Sequence, residues 1–227
     1  MRYDFDFSAP LTYWPDFVAG AATTLGLSLA ATVFGFLLGV LCALGTTGRS
    51  AWLARLCGIY VEAIRNTPLL VQIFIVYFGL ASVGVKVDAF TAATAALVIN
   101  VGAYTAEIVR AGINSIHPGQ LEAAECLGLS RLQVLTRIVL PPAIERVYPA
   151  LTSQYVLLML ASSITSQISA EELTAVANRI QSDTFRSVET YLIVAAAYLV
   201  LSLVMRLVFW CASYIAFPRR RRIGTPI

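Results

Sequence analysis

Residues Phe17 to Leu44 read FVAGAATTLGLSLAATVFGFLLGVLCAL, without one charged side chain. A helical bilayer crossing needs about 20 consecutive, mostly apolar residues. This stretch exceeds that length, and in hydrocarbon its backbone N–H and C=O groups are satisfied only by one another, as a helix. Four further stretches qualify as spans: Leu56 to Leu80, Phe90 to Ile113, Val147 to Ile168 and Thr190 to Phe217. Composition agrees. The 227 residues are 58% hydrophobic and 13% charged, with a mean hydropathy of +0.76, whereas soluble domains carry about 25% charged residues. The expected class is an all-α membrane protein, a single transmembrane domain over residues 1–227 with about five transmembrane helices. The start, Met1-Arg2-Tyr3-Asp4-Phe5-Asp6, is acidic and unlike a signal-peptide n-region, so the first apolar stretch counts as a span.

The net charge of +3 matters less than its distribution. Arg49 and Arg55 follow the first span, Arg131, Arg137 and Arg146 follow the third, and Arg219-Arg220-Arg221-Arg222 follows the fifth. The opposite side holds the acidic start, Lys86 with Asp88, and a segment where Glu171, Glu172, Asp183 and Glu189 outnumber Arg179 and Arg186. Positive loops stay in the cytoplasm, which predicts the N-terminus outside and the C-terminus inside. The terminal arginine run reads as a topology anchor near anionic lipid, not as a nucleic-acid patch.

Within the first span, Ala31, Gly35, Gly39 and Ala43 recur every four residues, a stripe that lets another helix approach closely. Pro68 lies inside the second span and predicts a kink. Ser169 with Glu172 three residues later reads as a capping box, predicting an external helix over about 170–182. Cys42, Cys57, Cys126 and Cys211 form no C-x-x-C pair and read as small apolar side chains. His117 is the one histidine, so no histidine cluster can hold zinc. No internal repeat is visible, and transporters that work as single chains usually carry one, so two chains are expected to build a pathway together.

The loop between the third and fourth spans, about 115–142, is the most informative. It runs Gln120-Leu121-Glu122-Ala123-Ala124-Glu125-Cys126-Leu127-Gly128-Leu129-Ser130, then on to Ile138-Val139-Leu140-Pro141-Pro142. Gln120 to Leu127 predicts a helix stopped by Gly128. Ser130 predicts the cap of a second short helix, which the two prolines end. Such a helix–turn–helix is a rigid knob for a soluble partner.

Glu-Ala-Ala, three residues, Gly, nine residues, Ile, one residue, Leu-Pro resembles the EAA loop of type I ATP-binding-cassette (ABC) importer permeases. Glu122, Ala123, Ala124, Gly128, Ile138, Leu140 and Pro141 carry the match. The resemblance extends along most of the chain and narrows to the polar amino-acid branch. Glu62-Ala63-Ile64-Arg65-Asn66-Thr67-Pro68-Leu69-Leu70-Val71-Gln72 is similar to that branch's second span, with Asn66 in place of Gly. Ala103-Tyr104-Thr105-Ala106-Glu107-Ile108-Val109-Arg110-Ala111-Gly112 is similar to its third. The likeness breaks late in span four, where Leu160-Ala161-Ser162-Ser163-Ile164 replaces a run carrying Lys and an acidic or amide neighbour.

The resemblance implies a transport subunit of the bacterial cytoplasmic membrane that is not itself an enzyme. Glu122, Ala123, Ala124, Leu127, Gly128, Leu129 and Ser130 would couple it to two ATPase subunits. ATP and magnesium would bind those partners, leaving no cofactor on this chain. A second permease, identical or related, would complete a homodimer or heterodimer, and an extracytoplasmic amino-acid-binding protein would deliver the substrate.

Intramembrane ionisable groups are costly and normally paired. Glu62 and Arg65 are three residues apart, as are Glu107 and Arg110, and each pair can meet on one helix face. With Gln72, Asn100, Tyr104, Ser162 and Ser163 they mark a polar pathway for a zwitterion. Equally, the ion pairs can tie helices together, and the hydroxyls of span four can bond to backbone carbonyls. No phosphate-binding G-x-x-x-x-G-K-[ST] loop occurs, so the chain cannot hydrolyse ATP alone. A passive channel or secondary carrier has no use for an EAA loop. An intramembrane enzyme would need a nucleophile paired with a histidine. A permease for another small solute is the alternative within the same class.

Overall fold

The structure, a computed structural model, describes residues 4–48 and 50–217. The arginine run Arg219 to Arg222, the first three residues and Arg49 lie outside the described residues. Ten α-helices are built among the described residues. A short α1 (Ser8–Leu11) leads into α2 (Trp14–Thr47), which carries Pro15 in its first turn, where the missing N–H costs nothing. Next come α3 (Ala51–Arg65), α4 (Leu69–Ser82) and α5 (Ala89–Asn114). Asp88 caps α5 by accepting from the Thr91 N–H at 2.9 Å. The Thr91 hydroxyl and that N–H hold the Asp88 carboxyl below its ordinary range.

The first and third spans form the heart of the bundle. Gly35 faces Val101 and Gly102 of α5, and Gly39 faces Thr105 and Ala106. The partners advance together along both chains, so α2 and α5 run parallel. A Cβ at Gly39 would sit 2.5 Å from Thr105 Cβ and 2.9 Å from the Ala106 backbone nitrogen, closer than any real contact. Glycine here sets the interhelix distance. The buried core continues from Leu27, Ala31 and Ala43 across Leu97 and Val101 to Leu151, Tyr155 and Leu158.

The second span is not one kinked helix. It breaks at Asn66-Thr67-Pro68 into α3 and α4, bent by 109°. Proline removes one bond and kinks a helix, but this turn is held open by a side chain. The Gln72 amide N–H donates to the carbonyls of Ile64 (2.8 Å) and Thr67 (3.0 Å), the groups the break would orphan. Among the described residues four helices are long and apolar enough to cross a membrane, or five where the bent pair α3 and α4 counts as one span.

Two more sequence expectations need correction. Pro141 and Pro142 do not end a helix. After α6 (Pro118–Cys126), the residues Arg131–Gln133 (α7) open a turn of helix that passes through a π segment, Val134–Val139, directly into α8 (Leu140–Ala161). The wider π turn places both prolines at the start of the α-helical register, where no N–H is required. The helix tightens to 3-10 geometry over Ser162–Ile168. The helix expected over about 170–182, α9, is Leu173–Thr184. Ser169 adopts φ +62 in the left-handed region, so it cannot cap; Glu172 does, accepting from Ala175 N–H at 2.9 Å. Glu172 is fully buried, its second oxygen accepting from Tyr198 O–H at 2.7 Å. Burial pushes its carboxyl above the ordinary value of 4.5.

The last span, α10 (Ser187–Ala216), closes the bundle. Its start is tied to the N-terminal segment: Asp6 N–H donates to Glu189 at 3.0 Å, and Arg186 lies 3.5 Å from Glu189 and 3.8 Å from Asp6. Arg179 of α9 pairs with Asp16 of α2 at 3.0 Å. The N-terminal segment and α9 therefore share one end of the bundle. Because α5 runs parallel to α2, the loop after it, with α6, occupies the other.

Candidate functional site

At the α6 end, the chain builds a knob from local rules. Pro118 opens α6, and the His117 ring nitrogen accepts from Gly119 N–H at 3.1 Å. The helix closes with paired bonds, Gly128 N–H to Glu125 C=O at 2.9 Å and Leu129 N–H to Ala124 C=O at 3.2 Å. This crossed pair needs a left-handed residue, and Gly128 supplies φ +70. Ser130 and Gln133 then form a reciprocal capping box, with Ser130 N–H donating to Gln133 at 2.8 Å.

Of the coupling residues read from the sequence, Ala124 is buried and anchors the knob, while Glu122, Ala123, Gly128 and Ser130 are exposed. Leu127 is 78% exposed, an apolar side chain offered outward, and Leu129 is half-buried beneath it. Leu132, two residues beyond the Ser130 cap, is a further exposed apolar side chain, at 69%, that the sequence reading did not single out. A shallow hollow of ≈ 390 Å³ lies beside them, its walls including Ala123, Leu127, Arg137, Ile138 and Pro142. Arg146 reaches back from α8 and donates to Ser115 C=O at 2.6 Å, joining the end of α5 to the start of α8.

The charged cluster is assembled differently from its sequence pairing. Glu107 and Arg110 do meet, through two hydrogen bonds of 3.1 and 2.5 Å. Glu62 and Arg65 do not pair. Arg65 crosses from α3 to α5, lying 3.9 Å from Glu107 with its guanidinium 5.7 Å from the Tyr104 ring centroid. Glu62 instead accepts from the Asn66 amide at 3.0 Å, at the helix break. Two helices thus contribute two cations around one carboxylate, all about a third exposed. A cavity of ≈ 150 Å³ opens here, lined by Thr46, Gly58, Val61, Glu62, Ala106, Glu107 and Arg110.

The remaining pathway residues separate from that cluster. Asn100 is buried and donates to Gln72 at 2.9 Å, so the two amides bracket the α3–α4 break. The hydroxyls of Ser162 and Ser163 donate to Met159 C=O (2.6 Å) and Leu160 C=O (2.8 Å). These backward bonds accompany the 3-10 tightening, which is the backbone alternative the sequence left open. Among the described residues no cluster of potential metal ligands occurs.

Comparison with known proteins gives one answer. The model of a family described as binding-protein-dependent transport system inner membrane component matches residues 35–210. An octopine transport system permease protein of Rhizobium radiobacter is 35% identical, the match covering 93% of this chain and 91% of that protein. The glutamine transport system permease protein of Escherichia coli (strain K12) is 36% identical over 88% of this chain and 93% of its own. A crystal structure of an amino acid ABC transporter with histidines superposes with a TM-score of 0.84 at 38% identity, covering 93% of this chain and 99% of that one. An inward-facing methionine ABC transporter shares the fold, with a TM-score of 0.77 at 19% identity.

Proposed function

The chain belongs to the family of binding-protein-dependent transport system inner membrane components, and from that premise we propose that it carries a polar amino acid through the membrane. It is a permease subunit of an ABC importer, a transport component that works with ATPase subunits and a binding protein. The exposed turn at Leu127-Gly128 carries this reading into mechanism. A rigid knob with an apolar tip fits a groove on a soluble partner. We assign the coupling role to Glu122, Ala123, Ala124, Leu127, Gly128, Leu129 and Ser130. Two ATPase subunits, holding ATP and magnesium, would grip two such knobs, one from each permease of a homodimer or heterodimer.

The amino-acid substrate is supported by the permeases this chain resembles and by the chemistry of the α3–α5 cluster. A free amino acid carries both charges, and a low-dielectric passage must offer partners for both. Glu107 suits the ammonium, and Arg65 or Arg110 the carboxylate. Tyr104, Glu62, Gln72, Asn100, Ser162 and Ser163 complete the proposed pathway, the last four through their control of backbone shape.

The test is reconstituted uptake of labelled amino acids by Glu107→Gln beside a thermal-unfolding assay. With side chains this exposed, the ion pairs contribute only ~0.2–1 kcal/mol, so the midpoint should hardly move. Losing a charged contact to the ligand costs ~1.5–3 kcal/mol, so uptake should fall roughly tenfold or more. A variant that is stable and transports every amino acid normally removes the cluster from the pathway.

A further inference from the structure

Arg206 lies inside α10, a span of mean hydropathy 2.4, and among the described residues no ion pair or hydrogen bond reaches its guanidinium. A cation inside a span is costly unless its head snorkels to the interface or meets an anion. It borders a groove of ≈ 220 Å³ between α8 and α10 whose other walls include Thr152, Ser153, Trp210 and Ser213. We propose that this groove binds an anionic phospholipid of the leaflet at the α6 end, with the phosphate on Arg206 and the acyl chains along the helices beside it.

Three observations favour lipid over a protein partner. Arg206, Trp210 and Tyr214 follow at four-residue spacing on one helix face, and the two aromatic rings stack at 6.1 Å, each half-exposed. Amphipathic aromatics so placed mark the headgroup level of a lipid-facing surface. Trp210 is one helical turn, about 6 Å, from Arg206, within reach of an extended arginine that keeps its stem in hydrocarbon and its head at the interface. Beyond the arginine the surface turns aliphatic: Leu203 on α10 and Leu157 on α8 are each more than half exposed. That sequence of headgroup-level aromatics, cation and aliphatic wall is the profile of one phospholipid molecule. Tyr148 and Phe209 form another part of the groove wall, where the Tyr148 hydroxyl donates to Phe209 C=O at 2.7 Å and ties α8 to α10.

The experiment uses the assembled transporter in nanodiscs of phosphatidylcholine with a minor fraction of phosphatidylglycerol. Lipid retention is read by native mass spectrometry, and thermal midpoint is read against phosphatidylglycerol content. The wild type should retain phosphatidylglycerol over phosphatidylcholine by about tenfold, the effect of one charge-assisted contact, and Arg206→Gln should lose that preference. Arg206→Lys should keep part of it. Should Arg206→Gln fail to insert, Ser153→Phe, which fills the groove and leaves the arginine, must also abolish retention. Inorganic phosphate alone should not raise the midpoint; stabilisation by it would assign the anion to solution and not to lipid. Equal phosphatidylglycerol retention by wild type and Arg206→Gln overturns the proposal. So does a photo-cross-linker at position 153 that captures a second permease copy in place of lipid.

Discussion

Replacing Gly128 with valine tests the coupling knob at its one backbone-determined point. The residue holds φ +70, and a Cβ there would meet nothing within 4 Å. Crowding is therefore not the cost; conformation is. An L-residue in the left-handed region loses about 1–2 kcal/mol, and β-branched residues tolerate it least. The chain can relieve this by leaving the region, but it then gives up the bonds from Gly128 to Glu125 and from Leu129 to Ala124. These contribute ~0.5–1.5 kcal/mol each, so neither route avoids the loss. A penalty of 1–2 kcal/mol depopulates the docking-competent turn by roughly 5–30-fold. In proteoliposomes, Gly128→Val should lose most substrate-stimulated ATP hydrolysis and uptake. Its unfolding midpoint should fall by no more than the few degrees that about 1–2 kcal/mol costs a chain of this size, because Gly128 itself is exposed and the bundle core is untouched. Gly128→Asn should retain more activity, since asparagine enters this conformation more readily. Full stimulated ATPase activity in Gly128→Val would refute the assignment of coupling to this turn.

Gly39→Leu should destabilise the folded protein by at least ~1–3 kcal/mol, since the new side chain overlaps Thr105 and the backbone of Ala106. Gly26→Ala, with nothing within 4 Å, should instead stabilise the fold by the ~0.5–1 kcal/mol that glycine costs in a helix, read as a raised unfolding midpoint. Glu172 gives the pH dependence. Its folded carboxyl titrates above 4.5, so the native state holds a proton that the unfolded chain has released. Its contribution is complete below 4.5 and declines as pH rises through the folded value; Glu172→Gln should flatten that slope in a thermal-melt pH series. Reporter fusions after Asp183 and after the C-terminal residue should read external and cytoplasmic respectively, and an external C-terminus would overturn the orientation drawn from the arginines.

Features carried by local periodicity were legible in the sequence. The four-residue recurrence of Ala31, Gly35, Gly39 and Ala43 announced a close helix contact, and α5 supplies it. Gly128 and Ser130 announced a helix stop and a new cap, both decided within a few residues of chain. What stayed hidden depends on neighbours distant in sequence. Arg65 has a carboxylate three residues before it, yet it turns to Glu107 because the break at Asn66-Thr67-Pro68 redirects the helix and offers Glu62 a nearer donor. Gln72 and Asn100 looked like lining residues, since nothing local says that one amide closes the break and the other holds it. Pro141-Pro142 looked like a stop because a π turn, which removes the conflict, has no simple residue signature. Ser169 lost the cap to Glu172 because burial against Tyr198 outweighed the local capping pattern.

The absence of any break between the coupling turn and α8 has a mechanical consequence. Arg131 to Ile168 is one continuous helical rod of 38 residues, about 55 Å long at the rise of an α-helix. Its foot is the capped turn at Ser130 and its head is the hydroxyl-rich 3-10 coil beside α9. A rod gripped at its foot acts as a lever: tilting it by about 5° sweeps the far end through about 5 Å over that length. Pro149 sits inside α8 as the point of least bending stiffness. Leverage is thus divided there near the midpoint of the rod, with an arm of about five turns down to the knob and another of about five turns out to the head. A small rotation at the foot becomes a displacement of side-chain size at the head.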